Sequence, residues 1–221
     1  MSDLVLGIDT STEVSVGVAR DGQVLARRLA GDTRSHVELL ADTIAGVVAE
    51  AGVKLSDISR IGVGIGPGPF TGLRVGIVTA ATLGQALDIP VVGVCGLDVV
   101  ASYAPRPGGQ PFLVVADARR HEVYWARYDA SGLRVEGPCV GAPSTLPDLY
   151  GVGPGIAQYP QLARGGEYVN IDAGWMAANL DMWPSLGLEP LYLRQPDAEV
   201  ASTRKSTLVS GRLRLPIGGS L

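Results

Sequence analysis

Apolar and polar positions near the start of the chain follow a pattern that predicts three β-strands. Apolar residues run through 4–8, and valines alternate with small residues over 14–18. The Asp21-Gly22 pair that follows is typical of a tight hairpin turn, and 23–29 returns as a third strand. The pattern therefore predicts an antiparallel meander whose first turn, 9–12, is polar and short.

The next stretch of the chain predicts helices alternating with strands. Apolar residues recur every three or four positions over 35–51, where Ser35 is a suitable N-cap and Gly52 a stop. The elements expected after it are a strand at 60–66, a Gly/Pro-rich loop at 67–70, a helix from about Thr71 to Leu87 and a strand at 91–95. This order indicates an α/β protein.

The second half of the chain repeats the opening pattern. An apolar strand at 112–116 ends at Asp117, an alternating segment covers 123–128, a turn follows, and 133–135 resumes the pattern. Asp117 stands where Asp9 stands in the first half, 108 residues earlier. Two lobes built from one doubled unit are therefore expected.

The pattern weakens toward the end of the chain. A short helix is predicted over 173–182 and a last ordered segment over 190–194. Beyond Ala198, four cations face the single acid Glu199, which is typical of a flexible basic arm. We expect a first lobe at 1–104, a smaller second lobe at 105–198 and a tail at 199–221.

Composition narrows the functional classes. Of 221 residues, 46% are hydrophobic and 18% charged, which excludes a disordered chain. The net charge is −4 with only two lysines, so autonomous nucleic-acid binding is disfavoured. Cys95 and Cys139 are too few for a disulfide framework and suit reduced structural thiols. The absence of a leader-like or membrane-length apolar run leads us to expect a cytoplasmic protein without membrane contact.

The Gly/Pro-rich passage at 62–74 leads into a predicted helix N-terminus, which could attract a phosphate. Its two prolines remove N–H donors and it contains no lysine, which argues against a phosphate cradle. The helix then carries small residues at strict four-residue spacing, namely Gly72, Gly76, Ala80 and Gly84. Such a stripe favours close packing, either against the helix at 35–51 or against a helix of a partner.

Candidate catalytic residues are sparse. Asp9 and Asp117 could present paired carboxylates to a magnesium nucleotide, although acids are also ordinary at strand ends. The two histidines, His36 and His121, form no metal-binding pair, and no nucleophile-elbow motif supports a hydrolase. A small ATP-dependent phosphotransferase therefore stays open as the enzymatic alternative.

Three segments, 6–11, 66–76 and 190–194, together give the chain a clear family resemblance. It resembles the TsaB (YeaZ) family over about 3–198, a family that supplies the non-catalytic subunit of the bacterial machinery for tRNA N6-threonylcarbamoyladenosine. The resemblance implies an actin-like fold of the acetate kinase, Hsp70 and ribonuclease H-like type, with two lobes and a shortened second lobe. It also implies that the enzymatic relative TsaD, whose histidine pair this chain lacks, performs the chemistry.

The resemblance further implies how the protein acts. The helices at 35–51 and 71–87 would pack on the equivalent helices of TsaD, and TsaE and tRNA would engage within that complex. ATP and metal are expected on the partner subunits, and self-association as a homodimer in the absence of TsaD stays open. The residues expected at the partner interface are His36, Leu40, Ile44, Val47, Gly72, Arg74, Gly76, Ala80 and Gly84.

Overall fold

The computed structural model describes residues 3–31, 36–105 and 108–194, with side chains from residue 39 onward in the first helix. The expected basic tail at 199–221 lies outside this range. The strands are β1 (Leu4–Asp9), β2 (Val14–Arg20), β3 (Gln23–Ala30), β4 (Arg60–Gly64), β5 (Val91–Val94), β6 (Phe112–Asp117), β7 (Val123–Tyr128), β8 (Arg134–Gly141) and β9 (Tyr150–Val152). The α-helices are α1 (His36–Glu50), α2 (Phe70–Leu87), α3 (Gly96–Tyr103) and α4 (Ala173–Ala178).

The first sheet has the strand order β3-β2-β1-β4-β5. Strands β1, β2 and β3 form the predicted antiparallel meander, with Asp21 and Gly22 in left-handed conformations at its second turn. Strands β4 and β5 join β1 in parallel through crossovers that contain helices. Because helices cover both faces, the central strands β1 and β4 are almost entirely buried, as their continuous apolar runs require.

The second sheet repeats this design with one strand fewer. Its order is β8-β7-β6-β9, in which β6 pairs antiparallel with β7 and parallel with β9, as β1 does with β2 and β4. Asp9 and Asp117 end the corresponding strands. The predicted doubled unit, the actin-like α/β topology and the shortened second half are thus confirmed.

Two cores lie on opposite faces of the first sheet. One forms beneath α1 and α2 and contains Leu6, Ile8, Leu40 and Leu73. The other lies beneath α3 and α4 and continues into the second sheet. Helix α4 approaches the first sheet closely because glycines leave room: a Cβ at Gly7 or Gly17 would overlap the α4 backbone.

The end of the described chain returns to the first sheet. The Leu186 N–H donates to the Gly93 carbonyl at 3.1 Å, and the Leu191 N–H donates to the Ile65 carbonyl at 2.8 Å. Helix α4 also contacts β1, β2 and β3. The described residues from about 171 onward therefore pack on the first sheet. The expected division into lobes at 1–104 and 105–198 stays a prediction.

The predicted helices 35–51 and 71–87 are confirmed, each bound agreeing within one residue. The helix expected over 173–182 ends at Ala178 and is followed by a 3₁₀ turn, Leu180–Met182. Helix α3 and strand β9 were not predicted. Among the described residues, no helix has the length and apolar character needed to cross a membrane.

Candidate partner surface and interlobe cleft

Asp9 lies at the end of β1 and is fully buried, with Gly64 of β4 and Gly96 of α3 beside its carboxylate. Its Oδ1 accepts hydrogen bonds from the Ser11 N–H at 2.9 Å and the Ser11 hydroxyl at 2.7 Å. Its Oδ2 accepts no hydrogen bond and lies against Gly64, where a Cβ would overlap it. Burial raises the pKa of Asp9 to about 6, although the hydrogen bonds from Ser11 oppose this rise.

The corresponding residue of the second sheet, Asp117, has different surroundings. It accepts a hydrogen bond from the Arg119 N–H at 2.9 Å, and its Oδ2 lies 3.4 Å from Arg119 Nη1. Because the chain seals Asp9 from solvent, the two carboxylates do not face each other across an open cleft as the phosphotransferase hypothesis required. The described residues also include no cluster of three or more side chains suited to a metal.

The small-residue stripe of α2 faces the interior. Gly76 lies against Thr10, whose hydroxyl donates to the Gly72 carbonyl at 2.7 Å, and a Cβ at Gly76 would overlap that hydroxyl. A Cβ at Gly84 would overlap the Val91 side chain. The stripe therefore permits α2 to pack closely on the chain's own sheet, chiefly on β4.

Most of the residues expected at the partner interface are packed inside the chain. Seven of the nine are buried within the chain, namely Leu40, Ile44, Val47, Gly72, Gly76, Ala80 and Gly84. Arg74 is exposed, and the side chain of His36 lies outside the described part of the structure. These seven residues belong to the packed interior of the chain, and their expected contact with a partner stays a prediction. That α1 and α2 bind a partner stays a prediction.

The surface that these helices do expose is their outer flank. On α2 it contains Thr71, Arg74, Val78, Thr82, Gln85 and Ala86, and on α1 it contains Ala41, Asp42, Ala45, Ala49 and Glu50. Val78 is 61% exposed. Most of these side chains are small or uncharged, so the outer flank resembles a helix-packing surface more than a solvated face.

A cleft of about 180 Å³ lies between the two sheets, at the start of α2. Phe70 from α2 stacks on Tyr192 with ring centroids 5.0 Å apart, and the Arg74 guanidinium lies 3.8 Å from the Phe70 ring centre. The opposite wall is the hairpin between β6 and β7, which carries Arg119 and Arg120. We call this region the interlobe cleft; its lining residues are Gly68, Pro69, Phe70, Ala118, Arg119, Arg120, Tyr124, Tyr192, Leu193 and Arg194.

The arginines that line this cleft were not among the site residues predicted from the sequence. The hairpin was predicted, but its arginines form part of a cleft only because the fold brings Phe70 and Tyr192 opposite them. A local signal was present, because the second half places two arginines in the turn where the first half places Ser11 and Thr12.

Solved structures share this arrangement of two sheets. The crystal structure of an uncharacterized Pseudomonas aeruginosa protein with similarity to the peptidase YeaZ superposes with a TM-score of 0.70 at 27% identity, covering 87% of this chain and 100% of that chain. The fold, with Asp9 sealed at the end of β1, therefore defines an actin-like α/β protein of the YeaZ type.

Sequence relatives refine this class. The TsaB protein of tRNA threonylcarbamoyladenosine biosynthesis from Escherichia coli is 36% identical, covering 89% of this chain and 80% of that protein. A family model described as TsaD, tRNA N6-adenosine threonylcarbamoyltransferase, matches residues 23–202. An uncharacterized Mycobacterium leprae protein is 42% identical over 95% of this chain, which spans 60% of that relative's length. The chain belongs to the TsaB (YeaZ) family.

Proposed function

We propose that this protein is a non-catalytic subunit that binds TsaD and supports threonylcarbamoyl transfer to adenosine 37 of tRNA. The observation that carries the proposal is the outer flank of α1 and α2, two neighbouring helices whose exposed side chains are mostly small or uncharged. Membership of a family from this biosynthetic pathway supports TsaD as the partner.

The outer flank suits a helical partner for physical reasons. Alanines on α1 let a second helix approach closely, and Val78 offers apolar area at the middle of α2. Arg74 is the only charged residue on the exposed part of α2, so few charges must be desolvated on binding. The same surface would support self-association when TsaD is absent.

The burial of Asp9 favours a non-catalytic role for this protein. A buried carboxylate that already accepts two hydrogen bonds from Ser11 is not available to a metal or a nucleotide in this arrangement. We therefore place ATP and metal on the partner subunits, and we place engagement of TsaE and tRNA in the assembled cytoplasmic complex.

The test compares two exposed valines. Val78 lies on the outer flank, and Val78→Glu places a charge there. Val135 lies on β8 and is 49% exposed, so Val135→Glu serves as the matched control. Each variant is co-expressed with TsaD, complex formation is followed by size-exclusion chromatography, and tRNA from depleted cells carrying each variant is analysed for the modified nucleoside. We expect Val78→Glu to lose both the complex and the modification, and Val135→Glu to keep both.

Three results would contradict the proposal. A Val78→Glu variant that still forms the complex would show that the outer flank is not the interface. Depletion that leaves the modified nucleoside in tRNA would contradict the proposed biological role. Transfer activity in the purified chain alone would show that the protein is catalytic.

A further inference from the structure

We propose that Arg74 is a preordered binding site, at one end of the outer flank, for a carboxylate carried by a helix of the partner TsaD. The inference rests on the proposed function and deepens it, because it states which chemical group the partner must present to this surface. It starts from three side chains in mutual contact, Phe70, Arg74 and Tyr192, which we call the arginine clamp.

The arginine clamp restrains the Arg74 side chain on the protein surface. The guanidinium lies 3.8 Å from the centre of the Phe70 ring, and Arg74 Nε donates a hydrogen bond to the Tyr192 hydroxyl at 3.1 Å. The two rings are themselves stacked, with an angle of 27° between their planes. Tyr192 directly follows Leu191, whose N–H donates to the Ile65 carbonyl at 2.8 Å. A restrained arginine loses less conformational freedom on binding than an unrestrained one, which favours association.

No carboxylate among the described residues forms an ion pair with Arg74. In this it differs from two neighbours in the interlobe cleft: Arg119 Nη1 lies 3.4 Å from Asp117 Oδ2, and Arg194 pairs with Glu122. The hydrogen bond to Tyr192 uses only the Nε of Arg74, and the side chain is exposed. Both Nη amino groups are therefore left in the planar arrangement that matches the two oxygens of a carboxylate.

Arg74 lies in line with the most exposed large apolar residue of α2. One ridge along the exposed side of this helix consists of residues at four-residue spacing, namely Phe70, Arg74, Val78 and Thr82. Val78 is 61% exposed and lies one helical turn, about 6 Å, from Arg74 along the helix axis. A partner helix that packs on Val78 would therefore cover Arg74 as well.

Burial of this ridge in an interface sets a requirement on the partner. Arg74 would be removed from water, and a buried cation without a counter-charge is strongly destabilising. It is the only charged residue of α2, so this helix supplies no counter-charge of its own. The partner helix should therefore place an Asp or Glu against Arg74, three or four residues from the apolar residue that packs on Val78. One cation without an ion-pair partner suits a single carboxylate better than a polyanion, which is bound by several cations at once.

The first experiment measures the affinity of TsaD for variants of the full chain by isothermal titration calorimetry. Arg74→Ala removes the guanidinium, and Arg20→Ala removes an exposed arginine at the end of β2 as the matched control. We expect Arg74→Ala to weaken the complex roughly 30-fold, as truncation of a well-packed interface arginine does. Arg20→Ala should leave the Kd within about twofold of the unaltered value. Thermal unfolding of each isolated variant shows that it is folded.

A second experiment identifies the carboxylate. Arg74→Lys places an amine at the arginine clamp, and a carbodiimide condenses such an amine with a carboxylate in direct contact, so that an amide forms and the reagent takes up the water. Mass spectrometry of the treated complex should show position 74 joined to an Asp or Glu of TsaD. Replacing that acid by its amide in TsaD should weaken the complex with the unaltered chain, but should change the affinity for Arg74→Ala less than about threefold, because the pair is already broken.

Several results would overturn the inference. Unchanged TsaD affinity in Arg74→Ala would do so, and loss of the complex in Val78→Glu would then leave the proposed function intact. A cross-link from Arg74→Lys to Asp197 or Glu199 of the same chain within the complex would show that the chain itself supplies the carboxylate. If Arg74→Ala lowers the affinity of the complex for tRNA but not the affinity for TsaD, the clamp contacts RNA instead. If the unaltered chain forms no complex with TsaD, the inference and the proposed function both fail.

Discussion

Ser11 donates two hydrogen bonds to the same carboxylate oxygen of Asp9, one from its backbone N–H and one from its hydroxyl. The other carboxylate oxygen, Oδ2, is buried without a hydrogen-bond partner. This one-sided arrangement stabilises the charged form less than burial destabilises it, so the pKa of Asp9 is raised to about 6. The stability of the folded protein therefore depends on the protonation of Asp9, and so on pH.

Asp9→Asn should change how stability depends on pH. With a folded-state pKa raised from 3.8 to about 6, the contribution of Asp9 to stability is fully present below about pH 3.8 and is lost as the pH rises through 6. Between pH 3.8 and pH 6, the free energy of unfolding of the unaltered protein should therefore fall by on the order of 2 kcal/mol relative to that of Asp9→Asn. Urea unfolding at a series of pH values measures the difference.

Ser11→Ala provides the internal check on that result. Without the hydroxyl donor, the charged carboxylate is stabilised less, so the pH-dependent loss should move to higher pH. Parallel curves for the unaltered protein and Asp9→Asn would show that Asp9 titrates normally in the folded state.

Gly76→Val should destabilise the isolated chain, which the sequence pattern alone did not indicate. Any Cβ at Gly76 overlaps the hydroxyl of Thr10, and inserting side-chain atoms into a packed core costs about 1–3 kcal/mol. Thr82→Val, at an exposed position of the same helix, should change the free energy of unfolding by less than about 0.5 kcal/mol. Chemical denaturation measures both, and equal stabilities would contradict the internal position of the stripe.

Arg60→Ala should remove a connection between the start of the first sheet and the turn after α4. Arg60 Nη1 donates to Asp181 Oδ1 at 2.7 Å, and its Nε donates to Asp3 Oδ1 at 3.1 Å. Both carboxyls are substantially exposed, so we expect a loss of only about 1 kcal/mol at neutral pH, and less in high salt.

The acid dependence of that loss follows from the lowered pKa values of Asp3 and Asp181, for which the hydrogen bonds from Arg60 are the largest cause. Their contribution is present above about pH 3.8 and is lost as the pH falls through the lower folded-state pKa values. The difference between the unaltered protein and Arg60→Ala should therefore shrink in acid. A difference that grows in acid would contradict this assignment, and Arg20→Ala serves as a control at an exposed position.

The two cysteines should differ in reactivity. Burial raises the pKa of Cys95 to about 12, and the nearby Asp98 adds to this rise, so almost no thiolate forms at pH 8. Cys139 is half-buried and should react first with a thiol reagent. A Cys139→Ser variant should lose the fast phase of a colorimetric thiol assay, and Cys95 should react after denaturant is added. A fast phase that survives in Cys139→Ser would show that Cys95 is accessible.

The sequence predicted the elements whose signal is local. Helices α1 and α2 carry their periodicity within one segment, and the meander carries its turn in Asp21-Gly22. Helix α3 was missed because it is short, begins at Gly96 and contains the β-branched pair Val99 and Val100, which resemble a strand. Its helical state is decided by packing against β6 and β7.

The candidate sites depend on contacts between distant segments, and this is why the sequence could not place them. Four-residue spacing on α2 predicted close packing, but the partner of Gly76 is Thr10, which lies 66 residues earlier. Similarly, one cleft brings together Phe70, Arg119 and Tyr192, which lie far apart in the sequence. The pattern within one segment shows which of its faces must be packed against another segment, but it does not show which segment that is.

The return of the C-terminal segment to the first sheet also has a consequence for synthesis of the protein. A nascent chain that has emerged from the ribosome only as far as β5 holds every strand of the first sheet, but α4 has not yet been translated. The face of β1 and β2 that α4 will cover, including Gly7 and Gly17, is then bare. Final closure of the first half must therefore wait until α4 has been translated, and during that interval the growing chain presents an apolar surface on which chaperones act.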